Sequence, residues 1–266
     1  MIYINNGKLS EIELTKDNFY LAIDFDKTIT ARESMDSWDS AGNVLGEEFK
    51  KESFKNYQKY APIELDYNIS FEEKERAMEE WYYSAIDLYY KYNLTKGKLI
   101  ESINTSKIIF RKGAKEFLEK MYKNNIPVII LSAGIGNVIE QFLQNNNCYF
   151  DNMKIISNFL SFDENGNMEK YKKDIIHTLN KNMAGNISED LSIKLKNKEY
   201  RLLLGDFVED KKMIEKDDWD KTISIGFLDK NVETNLETYK ANFDIVLTNR
   251  EANFIEVEKL VLKHLN

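Results

Sequence analysis

The sequence of 266 residues contains one cysteine, two prolines and two histidines. Because Cys148 has no possible partner within the chain, no internal disulfide can form, which favours a reducing compartment. No apolar run approaches the roughly 20 residues that span a bilayer. Residues 1–16 also lack the basic start and apolar core of a secretory signal. We therefore expect a cytoplasmic protein that has no membrane partner.

Basic residues are in the minority. Lys and Arg number 37 against 45 Asp and Glu, which gives a formal net charge of -8. Because non-specific binding of nucleic acid requires a basic face that displaces counterions, no nucleic-acid polymer is an expected partner. With 42% hydrophobic and 31% charged residues, the composition is that of a folded protein. The length allows one large domain or two small ones.

Short apolar runs alternate with stretches of helical periodicity, which is the pattern of a parallel sheet covered by helices. The predicted strands cover residues 19–23, 127–131, 154–158, 201–204, 222–226 and 244–247. Three of these strands are followed by polar groups, which are Asp24, Ser132 and the pair Gly205 and Asp206. Since ligands of open α/β sheets bind beyond the carboxyl ends of the strands, we expect one site at these three ends.

The first two predicted strands are separated by residues 24–126, which is too long a stretch for a single crossover helix. Ser70-Phe-Glu-Glu73 is a capping box that predicts a helix start, and further helices are predicted over 47–60 and 94–109. We interpret residues 31–110 as a helical cap inserted into an α/β core of residues 1–30 and 111–266. Farther along, Asn165-Gly166 predicts a β-hairpin with a type I′ turn.

The first chemical motif is Asp24-Phe-Asp26, directly after an apolar strand. Residues i and i+2 of an extended chain point to the same side, so both carboxylates would face one ligand. One of them can attack as a nucleophile or hold a metal while the other transfers a proton. For this motif alone, a polar strand end with a helix-capping aspartate is the simpler interpretation.

Two further motifs follow other predicted strands. Ser132-Ala133-Gly134 precedes a helical stretch, and small residues at a helix N-terminus expose N–H groups that bind phosphate oxygens. Asp206 and Asp210 can converge on Mg²⁺ or its bound waters. Taken singly, the Ser132 motif can be an ordinary strand-to-helix turn with a capping serine, and the Asp206 motif can be a solvated acidic turn. Together, at the ends of three separate strands, the motifs favour a phosphoryl-transfer site.

In this order the motifs resemble those of the haloacid dehalogenase superfamily of phosphatases. The segments Glu80-Trp81-Tyr82, Ser132–Gly136, Ser157–Phe159 and Leu203–Asp206 are further similar to the cytosolic pyrimidine 5′-nucleotidase family, over nearly the whole chain from residue 19. The resemblance implies a Rossmann-like core with an inserted cap. It also aligns the family's lysine with Lys181, which spacing alone does not single out.

The resemblance implies a Mg²⁺-dependent 5′-nucleotidase that acts on UMP or CMP. Asp24 is the implied nucleophile that forms an aspartyl phosphate, and Asp26 the acid and base. The implied Mg²⁺ ligands are Asp24, the backbone carbonyl of Asp26 and Asp206. Asp210 is implied to support the metal site indirectly, through these ligands. Lys181 is implied to offset charge repulsion. The implied phosphate-binding groups are Ser132, Ala133 and Gly134.

Glu80 and Trp81 are the cap residues that the resemblance implies for binding the base, although Trp81 fits a position in the helix core equally well. The resemblance also implies transfer of phosphate to a second nucleoside. Alternative substrates are 7-methyl-GMP and a small phospho-metabolite, and another class is a catalytically silent nucleotide-binding scaffold. No catalytic role is assigned to His177 or His264, and the sequence does not define the oligomeric state.

Overall fold

A computed structural model describes residues 1–5, 7–66, 68–181, 189–263 and 265, so His264 lies outside the described residues. The strands are β1 (Ile2–Ile4), β2 (Phe19–Ile23), β3 (Val128–Ile135), β4 (Met153–Asn158), β5 (Tyr200–Gly205), β6 (Thr222–Leu228) and β7 (Ile245–Thr248). They form one sheet in the order β1-β7-β6-β5-β2-β3-β4. Only the pairing of β1 with β7 is antiparallel, and the mostly parallel sheet confirms the predicted α/β fold.

The described helices are α1 (Ser37–Ala41), α2 (Glu47–Leu65), α3 (Phe71–Lys91), α4 (Lys96–Thr105), α5 (Ala114–Lys123), α6 (Gly136–Asn145), α7 (Glu189–Lys196), α8 (Val232–Asn242) and α9 (Phe254–Val261). Helices α1 to α4 all lie between β2 and β3 in the chain. Within the described residues, none of the helices combines the length and the apolar character that crossing a membrane requires.

The sheet is covered on both faces because its strands alternate between them. Leu21 and Ile23 belong to the core cluster that includes α5, α6 and α9, whereas Tyr20 and Ala22 belong to a cluster on the other face. A strand buried on both faces is a continuous apolar run, and β2 therefore has both ends as predicted. The edge strand β1 was not predicted, because it is only three residues long and is largely exposed.

Strand β3 is longer than predicted, and this changes the setting of Ser132. The strand continues to Ile135, which pairs with Asn158 after a register shift, and α6 begins only at Gly136. The Ser157 hydroxyl also donates a hydrogen bond to the carbonyl of Gly134 at 2.8 Å. These contacts hold residues 132–135 to the sheet, so the segment precedes a helix as predicted but belongs to the end of β3 rather than to the first turn of α6.

The predicted hairpin reduces to a single antiparallel bridge between Phe162 and Met168. Gly166 has a φ of 80°, but Asn165 is not in the left-handed region, so the type I′ assignment was wrong. The Asp163 carboxylate accepts hydrogen bonds from the N–H groups of Asn165 and Asn167, at 2.9 and 2.8 Å. The N–H of Gly166 also donates to the carbonyl of Asp163 at 2.9 Å, so the turn runs from Asp163 to Gly166 instead of being centred on Asn165 and Gly166.

The helical insertion begins and ends at one place. Thr30 and Phe110 form an isolated antiparallel bridge, and the N–H of Ala31 donates to the carbonyl of Ile109 at 2.8 Å. Ser70 caps α3 as predicted by accepting from the N–H of Glu73. Helix α2 extends past its predicted end, and α4 is shorter at both ends than predicted. The division into core and cap stays a prediction that the shared entry and exit supports.

Candidate active site

The three sequence motifs meet at neighbouring strands. Asp24 directly follows β2, Ser132 lies near the end of β3, and Gly205 ends β5 just before Asp206. In the sheet, β2 lies between β5 and β3. The carboxyl ends of adjacent parallel strands share one edge, so the chain folds these groups into one site.

Lys181 is the cation of this site. Its Nζ lies 2.7 Å from Asp24 Oδ1 and 2.7 Å from Asp210 Oδ1, and all three side chains are buried. Burial alone lowers the pKa of Lys181, but the charges of Asp210 and Asp24 more than reverse this effect, so its pKa is raised above the ordinary value. Lys181 therefore carries its charge inside the site.

Asp210 uses both of its carboxylate oxygens for protein contacts. Oδ1 binds Lys181, and Oδ2 accepts the N–H groups of Asp206 at 3.1 Å and Phe207 at 3.0 Å. A side chain at Gly205 would place its Cβ 2.3 Å from Asp210 Oδ2, so this approach requires glycine. Asp210 thereby fixes the positions of Asp206 and Lys181.

The carboxylates of Asp24, Asp206 and Asp210 form a group that could hold a metal ion. One ligand atom from each lies within 4.8 Å of the others. Burial, followed by the charges of Asp24 and Asp210, raises the pKa of Asp206 well above its ordinary value. Three carboxylates around the single ammonium of Lys181 leave excess negative charge, and hard oxygen ligands suit a divalent cation. The residues present therefore fit Mg²⁺.

Asp26 is bound by a residue of the insertion. The N–H of Ser37 donates to Asp26 Oδ1 at 2.9 Å, and the Ser37 hydroxyl donates to Oδ2 at 2.5 Å. Burial, followed by the charge of Asp36, raises the pKa of Asp26 to about 7, although the hydrogen bonds from Ser37 oppose the shift. Asp26 is therefore poised to carry or release a proton near neutral pH.

A buried arginine holds the loop that follows Asp26. Arg111 donates to the carbonyl of Thr28 at 2.9 Å and to the carbonyl of Lys27, and it pairs with Asp229 at 2.8 Å. Lys27 has a φ of 62°, in the left-handed region that is uncommon for residues other than glycine. The contacts from Arg111 stabilise this conformation.

The predicted phosphate-binding segment lies beside these carboxylates. The buried Ser132 accepts the N–H of Gly134 at 3.1 Å. The carbonyl of Ala133 accepts Trp38 Nε1–H at 3.1 Å, which ties the segment to the insertion. At Gly134 a Cβ would lie 2.8 Å from Asp26 Oδ2, so the segment approaches the acidic site closely.

A cavity of about 690 Å³ lies among α1, α2 and α3 of the insertion. Seven aromatic rings line it: Trp38, Phe49, Phe54, Tyr57, Trp81, Tyr82 and Tyr89. Asp36 and Asp39 add carboxylates to the same wall, and burial together with Asp36 raises the pKa of Asp39 to about 6. The cavity can hold a flat aromatic ring.

Trp81 and Glu80, the two predicted base-binding residues, are placed differently. Trp81 lines the cavity, whereas Glu80 is exposed, is not among the lining residues and accepts a hydrogen bond from the Tyr60 hydroxyl at 3.5 Å. Its binding role stays a prediction. Sequence reasoning missed Ser37 and Trp38. One signal in the sequence could have identified them. The polar segment Asp36–Asp39 follows the first motif closely and contains one of the three tryptophans of the sequence.

Tyr82 connects the cavity with the charged groups. Its ring lines the cavity, and its hydroxyl is close enough to Glu64, Lys181 and Asp26 for their charges to affect its pKa, which burial raises. Tyr82 is thus shared by the cavity and the charged site.

The sheet, with polar or charged groups at three of its strand ends, is a fold that this chain shares with known phosphatases. A phosphoserine phosphatase structure with 17% identity has the same fold, with a TM-score of 0.60 and coverage of 93% of this chain and 100% of that chain. The family model of pyrimidine 5′-nucleotidases (UMPH-1) matches residues 21–266. The chain belongs to this family and is a phosphoric monoester hydrolase.

Individual relatives agree with the family assignment. The 7-methylguanosine phosphate-specific 5′-nucleotidase of Homo sapiens is 31% identical over 257 residues, covering 94% of this chain and 85% of that protein. The corresponding protein A of Xenopus laevis is 34% identical over 210 residues, covering 79% and 72%. The structure of cytosolic 5′-nucleotidase IIIB bound to cytidine has a TM-score of 0.79 at 29% identity, covering 93% and 85%.

Proposed function

We propose that the protein is a Mg²⁺-dependent 5′-nucleotidase that cleaves nucleoside 5′-monophosphates through a phosphorylated aspartate. The observation that carries this proposal is the buried Lys181, whose Nζ binds both Asp24 and Asp210 at 2.7 Å. An anionic nucleophile and a dianionic phosphate repel each other, and a fixed cation beside the nucleophile offsets that repulsion.

Asp24 and Asp26 divide the chemistry. An oxygen of Asp24 attacks the phosphorus, the bond from phosphorus to the 5′-oxygen breaks, and Asp26 donates its proton to that oxygen. Asp26 then takes a proton from water, whose oxygen attacks the phosphorus and breaks the bond to Asp24. A pKa of about 7 suits Asp26 to both proton transfers.

Asp24, the backbone carbonyl of Asp26 and Asp206 would hold Mg²⁺. When bound, this ion would supply positive charge that stabilises the phosphoryl oxygens. Asp210 would not bind the ion directly, because Lys181 and the N–H groups of Asp206 and Phe207 already occupy both of its oxygens. It would support the site by holding Lys181 and Asp206 in place. The groups proposed to bind the phosphate oxygens are the hydroxyl of Ser132 and the amides of Ala133 and Gly134.

The aromatic cavity is the proposed site of the base, which would stack on rings that include Trp81. UMP and CMP are the proposed substrates, in line with the family description. A second candidate is 7-methyl-GMP, whose methylated base is cationic. Asp36 and Asp39 beside seven rings favour it, because carboxylates and π-faces attract cations. Relatives named as specific for 7-methylguanosine phosphate support this candidate.

Phosphate release from UMP, CMP, GMP, AMP, 7-methyl-GMP and phosphoserine at equal concentration, with Mg²⁺ and with EDTA, tests the proposal. Mg²⁺-dependent release that favours UMP and CMP is expected, and a preference for 7-methyl-GMP would select the second candidate. Release from phosphoserine but from no nucleotide would contradict both. Adding a nucleoside acceptor and measuring a new monophosphate tests the proposed phosphotransfer. A cytoplasmic location stays part of the proposal, supported by relatives named cytosolic.

A further inference from the structure

Ser37 has an unusual set of contacts for a serine on the insertion. The residue is 1% exposed, and its N–H and its hydroxyl donate to the two different oxygens of Asp26. One residue thereby binds both sides of a carboxylate that belongs to the loop after β2.

The direction of the Ser37 hydroxyl is fixed as well. Its oxygen accepts the N–H of Ile135 at 3.1 Å, so the hydroxyl proton is left for Asp26 Oδ2 at 2.5 Å. Gly134 packs directly against the same two groups. A Cβ at this position would lie 2.1 Å from Ser37 Oγ and 2.8 Å from Asp26 Oδ2, so no free space remains beside them. The carboxyl of Asp26 cannot rotate without breaking these contacts.

We propose that Ser37 is a positioning residue that holds the Asp26 carboxyl in the orientation for giving its proton to the leaving oxygen. Because Ser37 belongs to α1, the placement of the insertion then controls the proton-transfer step. This inference rests on the proposed function, in which Asp26 is the acid. Ser37 itself does not touch the reacting atoms.

The inference separates two kinds of phosphate ester. The 5′-oxygen of a nucleoside is a poor leaving group that requires a proton, whereas p-nitrophenolate leaves without one. Loss of the Ser37 hydroxyl should therefore lower kcat/KM for the nucleotide and spare kcat/KM for p-nitrophenyl phosphate, because kcat/KM does not include the later step in which Asp26 activates water. A general loss of structure would slow both.

Ser40 provides a matched control in the same helix. It is also buried, and among the described residues its hydroxyl oxygen has no hydrogen-bond partner. Ser40→Ala makes the same chemical change one turn away without removing a contact to Asp26. Ser37→Cys provides a second test variant, since a thiol is a weaker donor of similar shape.

The test measures kcat/KM for the nucleotide that the wild type hydrolyses fastest and for p-nitrophenyl phosphate. Ser37→Ala should lower the nucleotide value about 10- to 100-fold, a share of what general acid catalysis contributes. The nucleotide kcat/KM of Ser37→Cys should lie between the values of Ser37→Ala and the wild type. Ser40→Ala should stay near wild type, and p-nitrophenyl phosphate should be almost unaffected by either alanine variant.

A double variant gives the decisive comparison. If Ser37 acts through Asp26, adding Ser37→Ala to Asp26→Asn should change nucleotide hydrolysis by less than about twofold. Two results would overturn the inference. One is an equal loss of nucleotide kcat/KM when Ser37→Ala is introduced into the wild type and into Asp26→Asn. The other is an equal loss of kcat/KM for the nucleotide and for p-nitrophenyl phosphate. Failure of the wild type to hydrolyse any nucleotide would instead overturn the proposed function, so the two failures are distinguishable.

Discussion

The sheet edge and the helical insertion contribute different kinds of side chain to the site. At the sheet edge, Lys181, Asp24 and Asp210 are buried, and contacts of 2.7 to 3.1 Å join them to one another and to the backbone of Asp206 and Phe207. The insertion instead surrounds about 690 Å³ of space with aromatic rings. The charged groups have little freedom to rearrange, whereas the cavity can accept rings of different size. We therefore propose that the chemistry depends on the sheet edge and that the selection of substrate depends on the insertion.

Two neighbouring residues of the insertion connect these regions. Ser37 binds Asp26, and Trp38 both lines the cavity and donates to the carbonyl of Ala133. Substitutions at the sheet edge should therefore change kcat, those in the cavity should change KM, and only this junction should change both.

The largest effect is expected from Asp24→Asn, which removes the proposed nucleophile. Turnover of the best nucleotide should fall by about 10⁴-fold or more, because an amide cannot form the aspartyl phosphate. The measurement is phosphate release under saturating substrate, with a thermal melt to establish that the variant is folded. A folded variant with more than a few per cent of wild-type turnover would contradict the assignment of Asp24.

The next effect is expected from Lys181→Met, which leaves buried carboxylates without their cation. Turnover should fall by about 10²- to 10³-fold, as for removal of one electrostatic stabiliser of a transition state. The free energy of unfolding should fall by about 3 kcal/mol, the usual result of removing one partner of a buried ion pair. Both are measured against Lys212→Met, because Lys212 Nζ donates to the carbonyl of Leu179 and, within the described part of the chain, pairs with no carboxylate of the site.

A smaller effect is expected in the cavity. Trp38→Leu should raise the KM for the nucleotide by about 10-fold, because stacking of a base on an aromatic ring is worth about 1–3 kcal/mol. A more modest fall in kcat should accompany it, since the bond to Ala133 is lost as well. Trp219→Leu is the control, since Trp219 Nε1–H bonds the carbonyl of Ile214 outside the cavity. Equal KM values for both variants would contradict a stacking role.

The smallest effect concerns His177, which lies where the two regions meet and contacts the Tyr82 ring. Burial, and then the charge of Lys212, lowers its pKa to about 4, so the unfolded chain binds a proton more readily than the folded one between pH 6.5 and 4. His177 therefore destabilises the fold as the pH falls through this range. His177→Asn should reduce the loss of unfolding free energy between pH 7 and pH 5 by about 1 kcal/mol. Denaturant titrations at both pH values measure it, and identical losses in both proteins would contradict the prediction.

The sheet could be predicted because burial on both faces leaves an uninterrupted apolar run. Phe19 to Ile23 is such a run, and Asp24 marks its end as the first polar residue. The edge strand β1 leaves no such signal. The extension of β3 past Ser132 depends on Asn158 and Ser157, which lie on a different strand.

Lys181 and the cavity lie beyond what spacing can predict. Lys181 is 157 residues from Asp24 and 29 from Asp210, so no local pattern relates them. Only the family resemblance identified it. The capping box at Ser70 predicts the start of α3, but not which rings of α1 and α2 will face this helix. The contact of Ser37 with Asp26 likewise depends on how the insertion packs on the sheet edge.

The most direct test of the central claim compares a nucleotide with ribose 5-phosphate, the same ester without a base. Wild-type kcat/KM should be at least about 10-fold higher for the nucleotide, because only the nucleotide has a base to stack in the cavity. Trp38→Leu should remove most of this advantage, and ribose 5-phosphate should show only the modest fall that loss of the bond to Ala133 causes. Equal kcat/KM for both esters in the wild type would contradict selection by the insertion.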